Sequence, residues 1–176
     1  MAPARIEVTT PSEREIVTRR TFNAPRELVF RAHTEPELVK RWLLGPPGWT
    51  MPVCRIDLKA GGRYRYVWRS EEDGSEFGMG GVFQEVMRPE RIVHTELYDP
   101  NDPYAEKSHR EGGTAGEALI TTVFDGEGDA TTLTLTMLFD SREARDGALA
   151  TGMTDGMESS YQKLDELLAS DAAGTR

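Results

Sequence analysis

The chain has 176 residues, 38% of them hydrophobic, which suits one domain and supplies enough apolar material to bury a core. Thirty acidic against 21 basic residues give a formal net charge of -9, a balance that repels a polyanion unless basic residues gather on one face, and so argues against a nucleic-acid partner. The single cysteine, Cys54, excludes an internal disulfide and fits a reducing, cytoplasmic compartment, while no stretch approaches the roughly 20 apolar residues needed to insert across a membrane.

Residues 1–13 contain no apolar run of signal-peptide length and are expected to form a flexible leader. "REIVTRRTF" (14–22) alternates Ile16, Thr18 and Arg20 with Val17, Arg19 and Thr21 and carries the β-branched bias of a strand. "NAPRELVFRAHTEPELVKRWLL" reads as two short helices: Pro25 suits a first turn, Leu28, Val29 and Ala32 form an apolar stripe, and Thr34 with Glu37 has the spacing of a capping box. "GPPG" (45–48) stops the second helix.

The pattern then changes to a two-residue period. Strands are expected near 50–59, 62–70, 76–87, 91–98, 117–125 and 131–139, separated by turns rich in glycine, proline and aspartate, which implies an antiparallel meander. "FGMGG" (77–81) is phosphate-loop-like in composition only, since no lysine follows and no helix begins there; it reads as a strand with bulges. The polar stretch 99–117 reads as a loop, either covering a cavity mouth or making a free excursion. Residues 141–169 read as one long helix, capped by Asp140 with Glu143, whose stripe is Leu149, Met153, Met157, Tyr161, Leu164 and Leu168. Gly147, Gly152 and Gly156 are costly inside a helix; close approach to the sheet, room for a ligand, or a kinked first half would each account for them.

A strand, two small helices, a run of antiparallel strands and a long terminal helix is the element order of a helix-grip fold. The segments "RTFNAPRELVFRAHTEPELVKRWL", "GGRYRYVWRSEEDG", "GVFQEVMRPERIVHTE", "GEALITTVFDGEGDATTLTLTM" and "SREARDGALATGMTDGMESSYQKLDELL" resemble the START-like, or SRPBCC, superfamily, in the branch named for the homologue of the activator of the heat-shock-protein ATPase. The resemblance implies an α+β helix-grip domain over 14–170, with a bent antiparallel sheet of about seven strands around the last helix, an apolar cavity between them, and a flexible tail at 171–176. It implies a hydrophobic small-molecule ligand. The chaperone link in the branch's title belongs to members with a separate N-terminal domain, which residues 1–13 do not supply, so a chaperone partner is not carried over.

Within that expectation, Tyr64, Tyr66 and Trp68 point into the cavity and Arg63, Arg65 and Arg69 point outwards. Trp42, Trp49, Phe83, Phe124, Met137, Met153, Met157 and Tyr161 are the further candidates for its lining; each fits ordinary core filling as well. His94 and Glu96 share a strand face, and with Tyr161 they are the candidates for proton transfer if the domain is an enzyme of polyketide-cyclase, aromatase or hydrolase type. His33 and His109 have no metal-ligand spacing with His94 or Cys54, so neither a metal site nor a cofactor is expected. Binding is expected ahead of catalysis, with a third alternative in an interaction module that uses the outer sheet face or an exposed edge to form a homodimer or to meet a chaperone.

Overall fold

The computed structural model describes residues 4–98 and 117–174, the last four of these by backbone alone. The elements run β1 (Glu7–Thr9), β2 (Glu15–Phe22), α1 (Arg26–Thr34), α2 (Pro36–Trp42), β3 (Trp49–Ile56), β4 (Arg63–Ser70), β5 (Glu76–Met87), β6 (Arg91–Tyr98), β7 (Ala118–Glu127), β8 (Ala130–Leu138), α3 (Arg142–Ala150) and α4 (Met153–Gly174). The strands form one bent antiparallel sheet in the order β1-β2-β8-β7-β6-β5-β4-β3. Strands β3 to β8 are the expected meander. The sheet is completed by β2 returning beside β8, with Ile16 opposite Met137 and Arg20 opposite Leu133.

The expectation of about seven strands falls one short, because the leader contributes β1. Its three exposed residues have no hydrophobic alternation to announce a strand. Its position comes from pairing with β2, Val8 opposite Thr18, and from the Ile6 amide donating to the Glu158 carboxylate at 2.6 Å. At the other end α4 continues to Gly174, beyond the expected domain limit at 170. The expected bulge in "FGMGG" lies instead between Phe83 and Glu85; the glycines keep regular register, and a side chain at Gly81 would sit 1.8 Å from the Thr95 carbonyl oxygen.

The helix ends differ from expectation for local reasons. Thr34 is the last residue of α1 and donates to the Phe30 carbonyl at 2.8 Å. The second helix begins at Pro36, whose missing N–H costs nothing in a first turn, so the cap position is Glu35 and no capping box forms. Ser141 rather than Asp140 caps α3, accepting from the Ala144 amide at 3.0 Å. The single helix expected over 141–169 is two helices, broken at Thr151 and Gly152, where Gly152 adopts φ +77°. Gly147 and Gly156 have nothing within 4 Å of a would-be Cβ and are exposed, so close approach to the sheet does not explain them.

Helices α1, α2 and α4 pack on the concave face of the sheet. The larger apolar cluster joins Phe22, Phe30, Trp42, Tyr64, Trp68, Phe83, Phe124, Tyr161 and Leu164. A smaller one joins Ile16, Ala118, Ile120 and Met137 with Leu135, Leu149 and Met153. Met157 of α4 touches both clusters.

Candidate functional site

Alternation along the strands decides which side chains face α4. On β4, Tyr64, Tyr66 and Trp68 are 4%, 9% and 8% exposed, whereas Arg63 and Arg69 lie in solvent on the other side. The rings form a continuous run: Tyr64 lies 5.2 Å from Tyr66 and 5.4 Å from Phe83, and Tyr66 lies 6.0 Å from Trp68. Their polar atoms are tied back to the frame. The Tyr64 hydroxyl donates to the Thr95 carbonyl at 2.8 Å and the Trp68 indole to the Leu43 carbonyl at 2.8 Å.

The proposed lining residues do not all meet. Trp42, Phe124 and Tyr161 belong to a tightly packed end beneath α1 and α2, where Trp42 donates to the Ala32 carbonyl and Tyr161 stands edge-on to Phe22 at 5.2 Å. Trp49, at the start of edge strand β3, is only partly buried against that cluster. Met137 lies in the smaller cluster, with Met153 and Met157 over it. Tyr64, Tyr66, Trp68 and Phe83 form the wall on the other side.

Between these two groups lies β6. His94 pairs with Phe83 on one side and Ile120 on the other, linking the larger cluster to the smaller. Its ring packs 4.9 Å from Tyr64 and 5.9 Å from Phe83, which fixes it on the concave face, and Glu96 two residues on shares that face. Glu96 is opposite Ala118 on β7, while Gly81 of β5 leaves room for the Tyr64 ring to lie over that strand, its Cε1 2.8 Å from where a Cβ would be.

The electrostatics follow from this setting. Desolvation lowers His94 to about 4, against a weaker opposing hydrogen bond of Nδ1 to the Thr95 carbonyl, so the imidazole is neutral at neutral pH. Desolvation likewise raises the Glu96 carboxyl to about 7, with a hydrogen bond from Tyr98 acting the other way. Burial raises the Tyr66 and Tyr161 phenols and takes the Cys54 thiol up to about 11, which makes it a poor nucleophile. His33 is held near 4 by burial beside Trp42 and Phe124. Among the described residues no group of histidine, cysteine and acidic side chains has the geometry for a metal ion. His109 and the 99–116 part of the polar loop lie outside the described residues.

Two features of this face escaped the sequence reading. Arg20, 3% exposed, forms a paired contact with Asp165 of α4 at 2.8 and 2.5 Å and lies 4.7 Å from the Phe22 ring. Its place in the Ile16, Thr18, Arg20 series was the available signal. Phe77 and Tyr98, 44% and 53% exposed, extend the aromatic run from Trp68 to the surface at spacings of 5.7 and 5.2 Å. A polar depression of about 250 Å³ beside β1, lined by Ala4, Arg5, Glu7, Arg19 and Thr132 among others, is separate from the β6 seam.

Residues 23–169 match the family model described as Activator of Hsp90 ATPase homolog 1-like protein. A crystal structure of a protein from Rhodobacter sphaeroides is similar at 31% identity, with 94% of this chain and 99% of that one covered and a TM-score of 0.81. One from Nitrosomonas europaea is similar at 26% identity, covering 93% and 99%, with a TM-score of 0.77. A third, from Mycobacterium smegmatis, shares the fold at 20% identity, 94% and 97% coverage and a TM-score of 0.75. No curated protein matches the sequence. The element order, the sheet closed by β2 beside β8 and the helix lying on its concave face agree with a match over most of the sequence, and the chain belongs to the Activator of Hsp90 ATPase homolog 1-like family within the SRPBCC fold.

Proposed function

We propose that the protein binds a hydrophobic small molecule between the concave face of the sheet and α4, over β6. One observation carries this reading. Leu135, His94 and Glu96 lie on central strands with neighbours paired on both sides, and point towards the helices, yet each keeps solvent exposure. An inward side chain on a central strand is screened laterally by its neighbours, so its exposure supports space on the concave side. Met153 and Met157, also partly buried, stand opposite, and flexible thioethers beside aromatic walls suit an adaptable apolar site. The SRPBCC fold commonly binds hydrophobic ligands, which supports the same reading. We further propose a cytoplasmic setting, on the strength of the single cysteine; among the described residues no helix is long and apolar enough to cross a membrane.

The test uses N-phenyl-1-naphthylamine, a neutral dye that fluoresces in apolar surroundings. Saturable binding near one dye per chain is expected, and Met157→Trp, which fills the space between the two clusters, should abolish it while leaving a cooperative thermal transition. Absence of saturable binding, or a folded Met157→Trp protein that binds as before, would overturn the reading.

A further inference from the structure

Glu96 introduces a charge problem into an otherwise aromatic and aliphatic face. Three acidic side chains are placed at the interface of sheet and α4. Glu158 and Asp165 face Arg20, at 3.9 and 2.5 Å. Glu96 has no lysine or arginine paired with it among the described residues; the group identified in contact is the Tyr98 hydroxyl. The titratable groups around it are that phenol, the Tyr66 phenol from β4, and the neutral His94 imidazole on its own strand. None supplies a positive charge. Aromatic side chains are its neighbours instead: the Tyr64 ring lies over Gly81, and the Tyr66 phenol is close enough to sense its charge.

A carboxylate bordered by aromatic rings is the recognition chemistry of an organic ammonium ion. The ion's charge pairs with the carboxylate, and its polarised C–H and N–H groups lie against ring faces. Ala118 lies opposite Glu96 on β7, and the β5–β6 register carries Gly81 alongside it on the other side, where the Tyr64 ring covers the glycine, so Glu96 has a methyl group on one flank and an aromatic ring on the other. The run of rings Tyr66, Trp68, Phe77 and Tyr98 extends from there to the surface, a path along which a flat or extended apolar body can lie.

We infer that the ligand of this domain carries a protonated amine on an apolar, ring-sized body, with Glu96 receiving the ammonium among the rings of Tyr64 and Tyr66. This rests on the binding reading above and specifies the chemistry of its ligand. The amine brings a positive charge that none of the described residues pairs with Glu96. An acidic ligand of equal size would place a second negative charge beside Glu96 and is disfavoured.

Three probes of one skeleton separate the possibilities: 4-phenylbutylamine, 4-phenyl-1-butanol and 4-phenylbutyrate, titrated calorimetrically at about pH 8 into the native chain and Glu96→Gln. The amine should bind about tenfold or more tighter than the alcohol, and the acid weaker than both. Glu96→Gln should remove the amine's advantage and leave the alcohol within about twofold, which also shows that the variant is folded. Equal binding of amine and alcohol, or an advantage that survives Glu96→Gln, overturns the amine assignment while alcohol binding keeps the cavity reading intact. Failure of all three probes to bind overturns both.

Discussion

At Glu96 the cost of burial and the use of a charge meet in one side chain. Folding raises the carboxyl from 4.5 to about 7, so between these values the folded chain holds a proton that the unfolded chain has lost. The neutral acid therefore favours folding fully below about pH 4.5, and that contribution disappears as pH rises through about 7. Because the side chain keeps some exposure, we assign the penalty on the order of 2 kcal/mol. Glu96→Gln should then be more stable than the native chain by about that amount at about pH 8 and close to equal at about pH 4.5. Urea unfolding at the two pH values measures it; a gain that does not change with pH would contradict the assignment. His94 and His33, lowered from 6.5 to about 4, act with the opposite sign: their stabilisation is present above about pH 6.5 and lost as pH falls through 4. Much at this scale was legible beforehand. Alternation in "GGRYRYVWRS" assigned the rings and arginines to opposite faces. It could not expose the setting of Glu96, with Ala118 opposite it on β7 and the Tyr64 ring over Gly81 beside it. Those neighbours come from strand register, not from adjacent sequence.

Among the elements, the break between α3 and α4 shows where periodicity misleads. Leu149, Met153 and Met157 keep a helical spacing across residues 151 and 152 because both helices present their apolar residues to the sheet, so the stripe continues while the backbone does not. The glycines held the missing information, but their conformations decide it. Gly152 takes a left-handed φ of +77° that a side chain strains, whereas Gly156 is an exposed position inside α4 with no nearby atom to obstruct a Cβ. Alanine at these two places should therefore have opposite effects. Gly156→Ala should stabilise by about 0.5–1 kcal/mol through helix propensity, and Gly152→Ala should destabilise by about 1 kcal/mol or more. Thermal unfolding of the two variants side by side checks the signs. Stabilisation by Gly152→Ala would mean that the helices join in solution as the sequence first suggested. Strand β1 was missed for a related reason: its place is set by a neighbour's free edge and by Glu158, neither of which lies near it in sequence.

For the whole molecule, the question is what holds α4 over a sheet whose apolar contacts are divided into two clusters. The larger cluster anchors its second half through Tyr161, Leu164, Leu167 and Leu168, whereas over the seam Met157 is, among the described residues, the one that reaches both. Arg20 adds a directional tie across the same interface, since its guanidinium meets Asp165 with two hydrogen bonds and has Glu158, the residue after Met157, at 3.9 Å. Arg20 is the member that cannot regain water: its side chain is 2% exposed, against 37% for Asp165. The two partners should consequently be unequal under mutation. Asp165→Asn leaves a buried cation short of its main counter-charge and should cost about 2–4 kcal/mol, while Arg20→Met frees Asp165 to hydrate, keeps a long apolar chain against Phe22, and should cost less. Urea midpoints at low and high salt provide the measurement. The Asp165→Asn deficit should change little with salt, because a pair with one member out of water is weakly screened. A deficit that vanishes in high salt, or a larger loss for Arg20→Met, would show the contact to be a solvated surface pair and leave apolar packing as the tie between α4 and the sheet.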